Sequence, residues 1–327
     1  MLTSLKFCAG SVAKKDIVIE LKHFAIKDGR VRGFNGTMAL SSPIPFDIDC
    51  KPNAEQLVRA IANCTDVIQL SLTKAGRLSI KSGVFKAFVD CVEGDHQFVE
   101  PEGEYTEFDG AVVLAGLKAC APFIGSDASR QWANGIMIRG ESMFATNNVM
   151  LVEYWLGSTF PYVINIPRAA VKEMLRINEA PTHASICLSS ATFFYSGNRW
   201  LRTQLYANNW PDLAPIINKP SIQQPINPLL FEGLDAIKTF VDKLGTVYFY
   251  PDEIRTHESD QEGAGFGIPG LQHEGKYNID MLNLLRDMTT IDWSGYPKPC
   301  AFQGDRLRGV LIGMRKVAAP MQRGPDA

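Results

Sequence analysis

The chain has 327 residues, 46% hydrophobic and 21% charged, with 33 Lys and Arg against 35 Asp and Glu, a net charge of −2. That balance excludes a disordered or low-complexity chain and any global attraction for phosphate, so binding to nucleic acid has to come from local segregation of charge. No apolar run reaches the ~18 residues of a membrane span, and MLTSLKFCAGSVAKK lacks the basic-then-apolar order of a signal peptide, so a cytoplasmic protein with no membrane contact is expected.

The first predicted element is a helix within LTSLKFCAGSVA, 2–13, carrying Lys6 and followed by Lys14 and Lys15. Next comes a hairpin, FAIKDGRVRGFNGTMAL at 24–40. A capped helix, CKPNAEQLVRAIANC at 50–64, then carries Arg59. Alternating strands follow in VIQLSLTKAGRLSIKSGVFKAFVDCVEG, 67–94.

The same order then repeats. AVVLAGLKACAPFI at 111–124 is a helix with Lys118, and GIMIRGESMFATNNVMLVEYW at 135–155 is a hairpin. NIPRAAVKEMLRI, 165–177, is an amphipathic helix: at 100° per residue Arg168, Lys172 and Arg176 span about 80°. Ala170, Val171, Met174, Leu175 and Ile177 fill a different arc. Strands return in ASICLSSATFFYSGNRWLRTQLYANNWPD, 184–212. Its Leu188-Ser189 pair and Ser196-Gly197 turn stand where Leu70-Ser71 and Ser82-Gly83 stand in the first copy.

A third, divergent round runs through the helix NPLLFEGLDAIKTFVDKL, 227–244, with Lys238 and Lys243. It continues in the strand TVYFY, 246–250, and the helix YNIDMLNLLRDMT, 277–289, with Arg286. Between them THESDQEGAGFGIPGLQHEGKY, 256–277, reads as a polar loop or irregular hairpin. A threefold internal repeat decides architecture before any motif does. Sequential strands joined by short turns, with two helices per repeat, predict an α+β chain of three similar domains, 1–104, 105–220 and 221–327. Tyr105 and Pro220 lie near the joints.

Catalytic signatures are weak. Gly265, Gly267 and Gly270 have the G-x-G-x-x-G spacing, but a charged segment precedes them and Pro269 lies among them, unlike a dinucleotide fingerprint. His257 and His273, with Glu258, Asp260 and Glu274, read as a solvated loop rather than a metal site. His23, His96 and His183 are scattered along the chain and belong to no recognisable catalytic signature. The seven cysteines include no C-x-x-C pair and read as reduced, mostly buried small hydrophobes. No enzyme, cofactor or metal is expected. Equivalent helices on one surface would instead sum their cations, Lys6, Arg59, Lys118, Arg168, Lys172, Arg176, Lys238, Lys243 and Arg286, into a surface that binds phosphate without reading bases.

Several segments carry a family resemblance in order: APFIGSDASRQWANGIMIRGESMFATNNVMLVEYW, INIPRAAVKEMLRI, YANNWPDLAPII and the ending VLIGMRK. Asn134-Gly135, Ala145-Thr146-Asn147-Asn148-Val149-Met150-Leu151, Pro167-Arg168-Ala169 and Trp210-Pro211-Asp212 are similar to the N-G, A-T-D-G-H-R-L, P-R-K and aromatic-Pro-Asp motifs of the bacterial DNA polymerase III beta subunit, the sliding processivity clamp. The likeness is fullest over 105–217 and extends to the first third and to 277–316. Its departures are Asn148, Val149 and Met150 in place of Gly-His-Arg, Gly313 in place of proline, and a tail at 317–327.

The resemblance implies a head-to-tail homodimeric ring of six domains, helices lining the pore and antiparallel sheets outside, that encircles double-stranded DNA and tethers a DNA polymerase after loading by a clamp loader. It implies DNA contact through the helix cations together with Lys14 and Lys15. It places a partner-peptide groove at Thr146, Leu151, Val310, Ile312 and Met314, and a dimer edge at Phe85, Ala87 and Val89. The divergence and compact length fit a phage-encoded member. A clamp-fold scaffold or decoy that binds replication proteins without encircling DNA is the alternative expectation.

Overall fold

The computed structural model describes residues 1–15, 18–94, 99–207 and 210–314. In the first repeat α1 (Leu2–Cys8) is followed by β1 (Ala25–Lys27), β2 (Arg30–Phe34), β3 (Met38–Pro43), α2 (Ala54–Ala62), β4 (Gln69–Leu72), β5 (Leu78–Ser82) and β6 (Phe85–Val89). The second repeat comprises β7 (Glu104–Thr106), α3 (Gly110–Cys120), the long strands β8 (Gly135–Thr146) and β9 (Met150–Pro167), α4 (Arg168–Ile177), β10 (His183–Ile186), β11 (Ser190–Tyr195), β12 (Arg199–Gln204) and α5 (Ala214–Ile217). The third has β13 (Gln224–Pro225), α6 (Leu229–Ile237), β14 (Thr246–Tyr250), β15 (Glu253–Arg255), β16 (Gly265–Gly267), β17 (Gly275–Asn278), α7 (Ile279–Asn283), β18 (Thr290–Ile291), β19 (Cys300–Gln303) and β20 (Leu307–Leu311).

The helices start where the sequence supplies caps. Asn53 accepts from Gln56 N, Asp109 from Ala111 N and Val112 N, and Asn278 from Asp280 N and Met281 N, each satisfying N–H groups that a first turn leaves unpaired. Pro167 fixes the backbone ahead of α4, and Asn178, left-handed at φ 53°, ends it with its N–H on Met174 O. The helices pair as the repeat predicts: α1 with α2, α3 with α4, α6 with α7.

The chain divides into two compact units. The first takes in 1–121, 135–141 and 156 through β12. Its principal sheet has the order β1-β2-β3-β12-β11-β10-β7, and β4-β5-β6 forms a second. Antiparallel pairing of β3 with β12, Leu40 opposite Leu201, joins strands of the first and second repeats in one sheet. For that reason the units do not follow the repeat boundaries. The second unit takes in 122–134, 142–155 and 210 through β20, with the sheets β13-β18-β19-β20-β9-β8 and β16-β15-β14-β17.

The Gly-rich segment takes the irregular-hairpin form of its expected alternatives, Ile254 pairing with Phe266 across β15 and β16. Two features differ from expectation. His273 is not on a solvated loop. It is 8% exposed and stacked on Trp293 with ring centroids 5.1 Å apart. The helix expected over 277–289 stops at Asn283. Leu284, Leu285 and Arg286 donate to carbonyls three residues back, a tighter winding that ends the α-helix early. Among the described residues no helix is long and apolar enough to cross a membrane.

Candidate functional site

Lys6, Lys118, Lys172 and Lys238 are exposed and, among the described residues, form no ion pair; Lys14 and Lys15 are likewise exposed beyond α1. Lys238 lies in the 3-10 turn after α6 rather than in the helix itself, and Lys243 is exposed in the loop that follows. The helix arginines are different. Arg59 is paired with Glu55 one turn away. Arg286 holds Asp235 at 2.8 Å and lies 5.2 Å from the centre of the Phe231 ring.

Arg176 is the clearest departure from a free basic edge. Its Nε donates to both Glu173 oxygens at 3.0 and 2.9 Å, and its Nη2 donates to Phe7 O at 2.9 Å, tying α4 to α1. The Glu173 hydrogen bond holds the guanidinium pKa above its usual range. Glu173 is itself 7% exposed and lies against Gly10, where a Cβ would meet Oε1 at 1.8 Å. Sequence places Glu173 between the basic and apolar arcs of α4, and the missing side chain of Gly10 gives the carboxylate its space. One of the three α4 cations expected to meet phosphate is therefore already used internally. The unneutralised charge of this helix centres on Lys172, with Arg168 half-buried beside it.

In the second unit Leu151 faces Val310 across β9 and β20, and with Ile217 they form a buried apolar cluster. Phe144, Trp210, Leu213 and Ala301 pack around it, and Trp132 meets Trp210 edge-on at 5.1 Å. Ile312, 42% exposed, and half-buried Met314 continue the apolar character. Of the expected groove residues, Thr146 is committed to the turn: its hydroxyl donates to Met150 O at 2.7 Å and accepts from Asn148 N at 3.2 Å. Arg308 sets a charged rim, bound to Glu153 at 2.6 Å and to Asn218. Sequence reading missed the aromatic part of this surface. The Trp210-Pro211-Asp212 motif immediately before α5 was the available signal.

The sequence departures here have physical reasons. Asn148 has φ 72°, and Asn is among the residues that tolerate this conformation well after glycine. Asn147 Oδ1 accepts from Val149 N and Met150 N, closing the turn with its own side chain. At Gly313 a Cβ would meet the Tyr296 ring at 2.5 Å.

Strand β6 is an edge of the three-stranded sheet, but its parity corrects the expected side chains. Val89 is 1% exposed, buried in its own unit, and Phe85 and Ala87 share its half-covered face. Strand alternation instead turns Lys86 and Phe88 outward, with Phe88 48% exposed. Of the loop histidines, His257 pairs with Glu262 at 3.1 Å. No group of three or more potential metal ligands occurs among the described residues. His96 and the tail at 317–327 lie outside them.

No protein family and no curated protein matches the sequence. Solved structures do. The DNA polymerase III subunit beta of Pseudomonas aeruginosa superposes with a TM-score of 0.82 at 14% identity, over 96% of this chain and 97% of that one. The chain has the sliding-clamp fold. A DnaN sliding clamp from Bartonella birtlesii, bound to griselimycin, gives 0.81 at 16% identity over 96% and 97%. The Bacillus subtilis DNA polymerase sliding clamp gives 0.80 at 14% over 97% of both chains. The α+β class, the antiparallel sheets and the helix pairs of the clamp fold are thus present along nearly the whole length.

Proposed function

We propose that this chain is a DNA sliding clamp, a processivity factor that closes as a homodimeric ring around duplex DNA and tethers a replicative polymerase. The observation that carries the reading is the clamp fold over 96% of the chain at TM-scores near 0.8, with helices that carry exposed lysines forming no ion pair among the described residues. Such a surface makes loose phosphate contacts, which suits sliding because topology rather than affinity supplies persistence. The Leu151–Val310–Ile217 cluster with Ile312 and Met314 fits an apolar partner peptide, whose attachment raises the polymerase's local concentration at the template. The role is non-enzymatic and cytoplasmic, served by a clamp loader, and the degree of divergence fits a phage-encoded protein.

The test combines mass with topology. Light scattering at micromolar concentration is expected to give twice the 36.1 kDa of one chain. Protein loaded on nicked circular duplex should be retained and then lost when the circle is cut. A monomer that shows no salt-sensitive retention on the circle overturns the clamp reading; a monomer that still binds a polymerase peptide supports the scaffold alternative.

A further inference from the structure

Cys50 and Cys91 are far apart in sequence and adjacent in the first unit. Pro52 and Cys91 are directly opposed in an antiparallel bridge, flanked by Val92 N on Lys51 O at 3.0 Å and Asn53 N on Asp90 O at 2.8 Å. Those two bonds make Pro52 and Cys91 a non-hydrogen-bonded pair, the arrangement in which facing side chains approach most closely. Cys50, two residues before Pro52, projects from the same face and is the diagonal neighbour of Cys91. Each thiol perturbs the ionisation of the other. Their exposures are unequal: Cys50 is 8% exposed and Cys91 is half-buried.

We propose that Cys50 and Cys91 form a reversible intrachain disulfide when the protein meets a peroxide, with Cys91 the attacking residue and Cys50 the resolving one. The Cys91 thiolate attacks one oxygen of hydrogen peroxide, the O–O bond breaks, and the products are the Cys91 sulfenic acid and, after protonation of the leaving hydroxide, water. The Cys50 sulfur then attacks the Cys91 sulfur. The S–O bond breaks, and the departing hydroxide takes the Cys50 proton to leave as a second water. Two thiols are oxidised and one peroxide is reduced.

The assignment of roles follows from the environment. Cys91 is the more accessible of the two, and its interactions with Cys50 and with the Leu78 backbone lower its thiol below the usual range. Interaction with Cys91, together with burial, raises Cys50 above the ordinary thiol range. The carboxylates of Asp49 beside Cys50 and Asp90 beside Cys91 oppose ionisation of each, so thiolate character at Cys91 comes from Cys50 and the Leu78 backbone. The other buried thiols lack this arrangement: burial alone raises Cys120, and burial outweighs the nearby arginines at Cys8. The bond would fasten residues 90–92, just beyond β6, to the segment that enters α2.

The full-length protein, fully reduced, is treated with stoichiometric hydrogen peroxide, alkylated without reductant and mapped by peptide mass. The expected result is one linked peptide pair joining Cys50 to Cys91, lighter by two hydrogens than the two thiol peptides together and abolished by dithiothreitol. Cys50→Ser should leave a Cys91 sulfenic acid that dimedone captures, and Cys91→Ser should leave Cys50 reduced. Thiol–disulfide exchange with oxidised glutathione on the unmodified protein provides a second route that no substitution can compromise. The proposal is overturned if both oxidants leave Cys50 and Cys91 unlinked, or if Cys91 is alkylated no faster than Cys64 at pH 7.

Discussion

His273 shows how one residue read as loop becomes a structural liability at low pH. Its ring is enclosed by Phe249, Tyr277, Trp293 and Tyr296, and its Nε2 lies 2.8 Å from Tyr277 Oη. Burial lowers its pKa from 6.5 to about 4. Between those values the unfolded chain binds a proton that the folded chain refuses, so stability falls as pH falls through the window. The loss is about 3 kcal/mol once pH is below the folded value, at ~1.4 kcal/mol per unit. His273→Phe keeps the aromatic packing and removes the titration. Denaturant unfolding compares the variant with the parent: whatever their gap at pH 7, it should shift in favour of the variant by roughly 2 kcal/mol at pH 5. A gap that is the same at both pH values would show that His273 titrates normally. Neighbouring sequence could not announce this burial, because Trp293 and Tyr296 arrive from another element.

At the scale of elements, α4 separates what periodicity reveals from what it hides. The apolar arc through Val171 and Met174, the start at Pro167 and the stop after Ile177 were legible, since local pattern and chain stiffness set them. The fate of each cation was not, because it depends on Glu173 fitting above Gly10 and on the Phe7 carbonyl of α1. Likewise the β15–β16 segment could be read only as a loop or an irregular hairpin: glycines at 265 and 267 erase the alternation that marks a strand, and only pairing with Glu253–Arg255 creates one. The aromatic neighbours of Leu151 were hidden for the same reason, Trp132 and Trp210 being brought together by tertiary packing. The α4 geometry yields a contrast between its two exposed cations. Lys172→Glu should weaken DNA binding about tenfold and lower the magnitude of the log-affinity versus log-salt slope by about one. Arg176→Ala should change that slope little and instead lower thermal stability by about 1–2 kcal/mol, a buried-pair loss discounted for the half-exposed guanidinium. Equal salt slopes for the two variants would return Arg176 to the phosphate-contacting set.

For the whole molecule the deciding question is whether sheet edges end in water or against a second copy. Among the described residues strand β6 is paired only with β5, and β16 only with β15, so each unit presents a strand edge without a described partner. Such edges invite pairing, and a ring satisfies them by closing head to tail. On β6 the outward face carries Phe88, with Lys86 Nζ 4.8 Å from its ring centre; the inward face carries Val89. An apolar ring half exposed beside an unpaired backbone edge is costly in a monomer and useful in an interface. Phe88→Asp adds a charge on that outward face without touching the core of its own unit. It should raise the dimer dissociation constant at least tenfold by concentration-dependent light scattering, while leaving the circular dichroism spectrum of the chain unchanged. Retention on circular DNA should fall with dimer mass, and binding of an apolar polymerase peptide to the Leu151–Val310 surface should persist, because that surface lies within the second unit alone. Loss of dimer with full retention on circular DNA would mean that the chain holds DNA by affinity rather than by enclosure.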